Sequence, residues 1–205
     1  MKHIALVLLI GLALSLCNLS ERLHKGSSSS SSGGVSENES SPEHGVANAK
    51  QLATLAGGPE AKWDRQGMSF TVPAGWTETT NESKIFTWRS GQSGGANLIV
   101  NISPMDESFP VDASIKAFYD GAKTRAKNGE VDELKWVEID GLKGVLFREA
   151  KPEKADEARR LQWMAYRKYL GQVQLVNVML ATEGKDFEHH VDAMYGILYS
   201  MKITH

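Results

Sequence analysis

Cysteine is nearly missing from this 205-residue chain, since Cys17 is the only one. That excludes a disulfide within the chain. No histidine or cysteine spacing of a structural zinc site occurs, and HExxH is absent. Neither sign of charge dominates: 23 Lys and Arg face 25 Asp and Glu, for a formal net charge of −2. This balance speaks against a nucleic-acid partner, and no acidic block suggests a cation store. There is no internal repeat, and beyond the first residues no apolar segment approaches membrane length.

The exception is at the start. Met1-Lys2-His3 is a short basic opening, and Ile4 to Leu16 (IALVLLIGLALSL) is apolar apart from Gly11 and Ser15. A helix needs about 20 residues to cross a bilayer core of ~30 Å, so this run is too short to span. It reads as a secretory leader over residues 1–16, to be kept out of the fold. Leu14-Ser15-Leu16-Cys17 resembles a bacterial lipobox, although Leu16 stands where Gly, Ala or Ser is usual. Ordinary cleavage after Ala13-Leu14-Ser15 is the competing reading. A lone exported thiol is a liability unless modified, which favours a lipidated Cys17, a palmitate-type anchor and attachment to the membrane.

Residues 17–60 read as a tether. From Ser27 to Gly45 nine of nineteen residues are Ser, three are Gly, and Val35 is the only aliphatic side chain. Such a stretch buries too little apolar surface to offset its conformational entropy and is expected to stay disordered. About 40 residues of Ser/Gly coil span roughly 35 Å root-mean-square. Residues 46–58 (VANAKQLATLAGG) suggest a short helix, read here as linker or loosely docked.

Residues 61–205 are long enough for one domain with its own core. Gly67–Val72 alternates as a strand and stops at Pro73-Ala74-Gly75 ahead of Trp76. Lys84–Arg89 and Ala96–Ser103 are β-rich runs joined by a Gly/Ser turn. Asp112 is expected to cap a helix whose inner stripe is Ile115, Phe118, Tyr119, Ala122 and Ala126, closed by Lys127-Asn128-Gly129. Leu134–Ile139 and Leu142–Glu149 flank Asp140-Gly141, a strong hairpin signal. Arg159–Leu170 and Gln172–Thr182 are longer strands meeting at Gly171. Asp186–Ser200 is a helix with Phe187, Val191, Met194, Leu198 and Met201 on one face. Trp76, Phe118 and Phe187 are the expected core anchors. Hairpin-joined strands with one helix inserted and one at the end predict an α+β fold built on an antiparallel sheet covered by helices.

A strand running into Val72-Pro73-Ala74-Gly75-Trp76 resembles the opening of the PsbP-like superfamily. The hairpin at Asp140-Gly141 with Gly144, and the closing run from Phe187 to Ile197-Leu198-Tyr199-Ser200-Met201-Lys202-Ile203, are similar to it as well. That superfamily includes the extrinsic photosystem II protein PsbP, DcrB-type envelope lipoproteins and a small Ran-binding protein. The resemblance, over about 63–203, implies a central antiparallel sheet with helices on both faces, an α/β/α sandwich. It implies accessory or binding roles and no shared catalytic residues, and no functional residue carries over.

Three constellations bear on chemistry. Gly91-Gln92-Ser93-Gly94-Gly95 matches the G-x-S-x-G nucleophile elbow, with His189 and His190 downstream. The elbow needs a strand-to-helix turn, whereas here a strand follows, so a glycine-rich hairpin turn is the simpler account. Asp186 and His190 stand i,i+4 on one helix face, but adjacent histidines point about 100° apart, and a solvated flank explains them without a metal. Arg160, Tyr166, Arg167, Lys168 and Tyr169 form a cationic and aromatic run suited to a binding surface, against the alternative of a half-buried strand with snorkelling basic side chains. Lys151–Arg160 is a solvated connection. Four N-x-S triplets, at Asn18, Asn38, Asn81 and Asn101, carry meaning only in a eukaryotic secretory pathway.

These observations together predict a non-catalytic, exported, membrane-tethered accessory or binding lipoprotein of the bacterial cell envelope. It would have a protein partner and neither cofactor nor metal. A soluble assembly factor released by ordinary signal cleavage is one alternative. A small serine hydrolase using Ser93 is another.

Overall fold

The computed structural model describes residues 38–39, 41–91 and 95–205. The leader and Cys17 lie outside the described residues, as do Gln92, Ser93 and Gly94.

Among the described residues, eleven strands and three α-helices follow one another. In order they are β1 (Glu43–His44), α1 (Ala49–Leu55), β2 (Glu60–Trp63), β3 (Met68–Thr71), β4 (Trp76–Asn81), β5 (Ile85–Ser90), β6 (Asn97–Met105), α2 (Val111–Lys127), β7 (Val131–Ile139), β8 (Leu142–Glu149), β9 (Ala158–Tyr169), β10 (Gln172–Glu183), α3 (Phe187–Tyr199) and β11 (Lys202–Ile203). An eight-stranded sheet has the order β1-β7-β8-β9-β10-β6-β5-β4, and β11-β3-β2 form a small second sheet. Among the described residues every pairing is antiparallel except β1 with β7. Helix α2 lies on one face, over β7, β8 and β9, while α3 packs on the other with α1 and the small sheet. The architecture is the α+β sandwich expected from the sequence.

Alternation along each strand feeds two cores. Leu161, Trp163 and Ala165 of β9 point toward α3, where Trp63, Phe70, Phe86, Phe187 and Met194 gather. Met164 and Tyr166 point the other way, toward Ile115, Tyr119 and Trp136. Trp163 is fully buried and its indole N–H donates to the Val137 carbonyl at 3.2 Å. A methyl at Gly144 would lie 2.6 Å from that indole nitrogen, so the glycine in the β8 motif is demanded by close approach. The turn at Asp140-Gly141 has φ of 49° and 82°, the two positive values of a type I′ hairpin.

Several local expectations are corrected. Asp112 does not cap α2: Pro110 occupies the N-cap, and Asp112 sits in the first turn, where its charge complements the helix dipole. Phe118 is only half-buried, and its neighbour Tyr119 is the anchor, stacked on Trp136 with centroids 5.1 Å apart. One residue is 100° of helix rotation, which leaves Phe118 at the margin of the core under α2 and Tyr119 at its centre. Trp76 and Phe187 are core residues, 8% and 0% exposed.

The segment read as linker is largely built into the fold. Asn48 and Gln51 form a reciprocal capping box at the start of α1, and Leu55 at its end is buried. Helix α1 meets α3 at Gly196, where a methyl would come within 2.8 Å of the Gln51 carbonyl oxygen. Upstream, β1 caps the β7 edge, and the Gly45 N–H donates to Glu138 O at 2.8 Å. Proline lacks the N–H a ladder needs, so Pro42 halts β1 at two residues. Composition hid this, because the pairing partner lies about ninety residues away in sequence.

Candidate functional site

Two polar regions interrupt the apolar face beneath α3. The first is a charged girdle at the β7–β8–β9 edge. Strand alternation turns Leu134 and Trp136 toward α2, and so turns Glu133 and Lys135 toward α3. Arg159 on β9, with a side chain 5% exposed, reaches Asp132 at 2.6 Å and Glu188 at 2.6 Å. Its Nε donates to Glu149 O at 2.8 Å, and its guanidinium lies 4.2 Å from the Phe187 ring centre. Arg148 bridges Asp132 at 2.7 Å and Glu133 at 3.2 Å, while the Tyr195 hydroxyl donates to Glu133. Lys135 sits between Glu133 and Glu43, 3.0 Å from each.

Electrostatics follow from that geometry. Burial alone would lower Lys135, but Tyr199, Glu133 and Glu43 outweigh it and hold the ammonium above its ordinary range. Burial, helped by Glu133, pushes the Tyr195 phenol well up, and burial also raises Tyr199 despite Lys135 beside it. These groups stay protonated at neutral pH. With Glu43, His44, Glu133 and Arg148 they border a polar cavity of about 300 Å³. Its signal in the sequence was the placement of Glu133, Lys135, Arg148 and Arg159 on strands otherwise apolar on that face.

The second region is a cleft of about 490 Å³ where α1, the 73–75 turn, the end of β5 and the start of α3 converge. Trp76, Ser90, Gly91, Thr54, His189 and His190 line it. Its size falls in the range of small-ligand sites, and the mix of one aromatic with hydroxyl and imidazole groups suits binding. The solvated-flank reading holds for His189, which is exposed, and is corrected for His190, which is 6% exposed. His190 shares a face of α3 with Ala193, Met194 and Ile197, all buried. The glycine-rich loop joins β5 to β6, so it is a hairpin connection and lacks the strand-to-helix turn of a nucleophile elbow. Ser93 itself lies outside the described residues.

The cationic and aromatic run on β9 does not assemble into one surface. Arg160, Tyr166 and Lys168 share one face of the strand, and Arg167 and Tyr169 the other. Tyr166 is 9% exposed, its hydroxyl 2.8 Å from Ser114 Oγ and its ring against Phe109. Arg167 is 3% exposed and donates to Gln174 Oε1 at 3.0 Å, Thr204 O at 2.9 Å and Gln66 Oε1 at 3.0 Å. Burial pushes its pKa down to about 10, leaving it charged at neutral pH. Arg160 pairs with Glu149, and Tyr169 is half-buried over Arg167, 4.2 Å from ring centre to guanidinium carbon. Lys168 alone of the five is exposed. Among the described residues, no three His, Cys, Asp or Glu side chains gather as metal ligands.

No family model matches the sequence, and no curated protein matches it. Solved structures do. The chain is similar to LpqN, a protein involved in cell envelope biogenesis of Mycobacterium tuberculosis, with a TM-score of 0.55 and 12% identity over 80% of this chain and 90% of that one. It is also similar to the cyanobacterial PsbP of Synechocystis sp. PCC 6803, with a TM-score of 0.46 and 14% identity over 71% and 92% of the two chains. The Saccharomyces cerevisiae Ran-binding protein Mog1p gives 0.41 and 11% over 71% and 95%. The likeness to LpqN is one of fold: the α+β architecture is shared over most of both chains.

Proposed function

We propose that this chain is an exported, membrane-tethered accessory protein of the cell envelope that binds a protein partner and performs no catalysis. The observation that carries this reading is the N-terminal layout. A basic start and a 13-residue apolar run end at the only cysteine, and a Ser/Gly-rich stretch then leads into β1. Residues 1–16 act as the leader, Cys17 carries the lipid, and the stretch up to β1 is the tether. The fold shared with LpqN, a protein involved in cell envelope biogenesis, supports an envelope location. The cleft beside Trp76 is the candidate receiving surface, since it combines a packed aromatic with adaptable polar groups at the rim.

Stable anchoring takes two signals or more, since a single acyl chain binds only marginally. Multiply acylated protein therefore stays with membranes through a high-salt wash and incorporates a fatty-acid analogue. Unlabelled protein beginning at Leu16 would show that ordinary signal cleavage wins. Crosslinking from the cleft rim in intact cells, at Thr54 or His189, is expected to join a discrete partner. A pattern unchanged when the crosslinker is moved to a distant surface sinks the cleft as the site.

A further inference from the structure

We propose that the β9–β10 turn is a second membrane contact: Leu170 enters the bilayer surface and the Lys168 ammonium meets lipid phosphate. This rests on the reading of Cys17 as the anchored residue.

Leu170 is 78% exposed, the most exposed large apolar side chain among the described residues. Its φ is +49°, a conformation in which a Cβ is crowded and which Gly, Asn and Asp tolerate best. The β7–β8 turn solves the same geometry with Asp140-Gly141, so leucine at the first position of the 170–171 turn is unfavourable in two ways at once. Backbone outliers held in place by their surroundings point toward function. Here the surroundings are stiff. Arg167, just below the turn, is fixed by three hydrogen bonds and covered by the Tyr169 ring. Lys168 is exposed and pairs with no carboxylate within 4.0 Å among the described residues. Glu107 is the one acid sharing the shallow rim with Lys168 and Gln172.

The occupant follows from where the tether joins. Glu39 lies 3.5 Å from Lys143, which pairs across the hairpin with Glu138, directly beside the Asp140-Gly141 turn. Gly144 pairs with Ala165, so the start of β8 runs level with the end of β9. The 140–141 and 170–171 turns therefore project from the same end of the sheet, roughly 10 Å apart at two strand spacings. About 20 residues separate Cys17 from Asn38, a length that as Ser/Gly coil would span roughly 25 Å. A domain held this way presents its Leu170 end to the lipid. Tethering at that length supplies an effective concentration in the millimolar range, at which one inserted leucine matters.

The test uses the full lipidated chain in vesicles of phosphatidylcholine and phosphatidylglycerol. With Cys17 acylated, Leu170→Cys supplies the only free thiol for a polarity-sensitive fluorophore. Lys151→Cys, exposed just beyond the opposite end of β8, is the control. The label at 170 is expected to shift to the blue and to be quenched by brominated lipid, and the label at 151 to do neither. Leu170→Gly relieves the backbone, so its melting temperature should equal or exceed the parent's. In vesicles, protection of the 168–172 amides from exchange should be lost in it and retained in the parent. Equal spectra at 170 and 151 overturn the proposal while leaving the anchor intact. A shift seen in native membranes and absent from pure lipid overturns it in favour of a protein partner. Loss of the unmutated chain from vesicles in high salt overturns the anchor, and with it the orientation argued here.

Discussion

Trp76 serves two regions at once. Its ring is 8% exposed within the main core, and it forms one wall of the cleft beside α3. Truncating a buried tryptophan to alanine typically costs ~3–5 kcal/mol, set against a total domain stability of ~5–15 kcal/mol. Trp76→Ala is expected to lower the urea midpoint sharply, whereas Trp76→Phe keeps most of the packing. A Trp76→Ala midpoint equal to the parent's would show that the 73–76 turn carries little of the core. Arg167 makes the complementary point for a polar residue. The sequence offers it as a surface cation, yet it is buried and held by two glutamines and a carbonyl without a carboxylate. Whether a basic residue near a strand end snorkels or is sealed in depends on which distant loop covers it. Here the cover is Gln66 and Thr204, about a hundred and about forty residues away in the chain.

At the level of elements, α1 shows how a weak sequence signal becomes ordered structure. Seven residues are too few for a stable isolated helix, so its order comes from docking on α3. The close approach at Gly196 makes that docking sensitive to one methyl group. Gly196→Ala gains up to about 1 kcal/mol in helix propensity. It also drives a Cβ to within 2.8 Å of the Gln51 carbonyl, which is backbone and cannot swing aside. The net expectation is destabilisation, with faster amide exchange confined to residues 49–55. A variant more stable than the parent would mean α1 shifts freely. The same contrast explains what could be read in advance. Strands β7 to β10 and helices α2 and α3 carry period-2 or period-3.6 patterns and bounded turns, so they were legible. Strand β4 (WTETTN) has no alternation because four of its six residues face solvent. Strands β1 and β2 are two and four residues long and exist only through their partners. The cleft was illegible for the same reason: its walls come from four elements distant in sequence.

Across the whole molecule, charge pairs join helices to sheet. Glu149, 8% exposed, accepts from Arg160 and, at 2.9 Å, from Arg125 at the end of α2. Burial works against its charge, yet the hydrogen bonds from Arg160 and Arg125 win and hold the carboxyl below its usual value. A carboxylate depressed on folding contributes stability that is complete above its unfolded value, near 4.3, and fades as pH falls through the lower folded value. Glu149→Gln should therefore cost about 1–3 kcal/mol at neutral pH, less than a sealed pair, because Arg125 and Arg160 are about a third or more exposed. Its stability should also change less than the parent's as pH is lowered below about 4.5. Parallel acid-unfolding curves for the two proteins would place the acid sensitivity elsewhere.

The two-residue β1 also has a mechanical consequence. Tension applied through Asn38 reaches the domain first at β1, which is held by its short pairing with β7, the Gly45 bond, the half-buried pair Glu43–Lys135 and the exposed pairs Glu39–Lys143 and His44–Glu138. Exposed pairs of this kind are individually weak. Behind them α1 is wedged at Gly196, and the sheet proper lies further in. A pull would therefore peel residues 39–47 away before loading the core, paying out nine residues, roughly 30 Å at full extension. Such a segment acts as a fuse: it lengthens under load and re-zips on relaxation, while the cleft and the other seven strands of the large sheet remain unstrained.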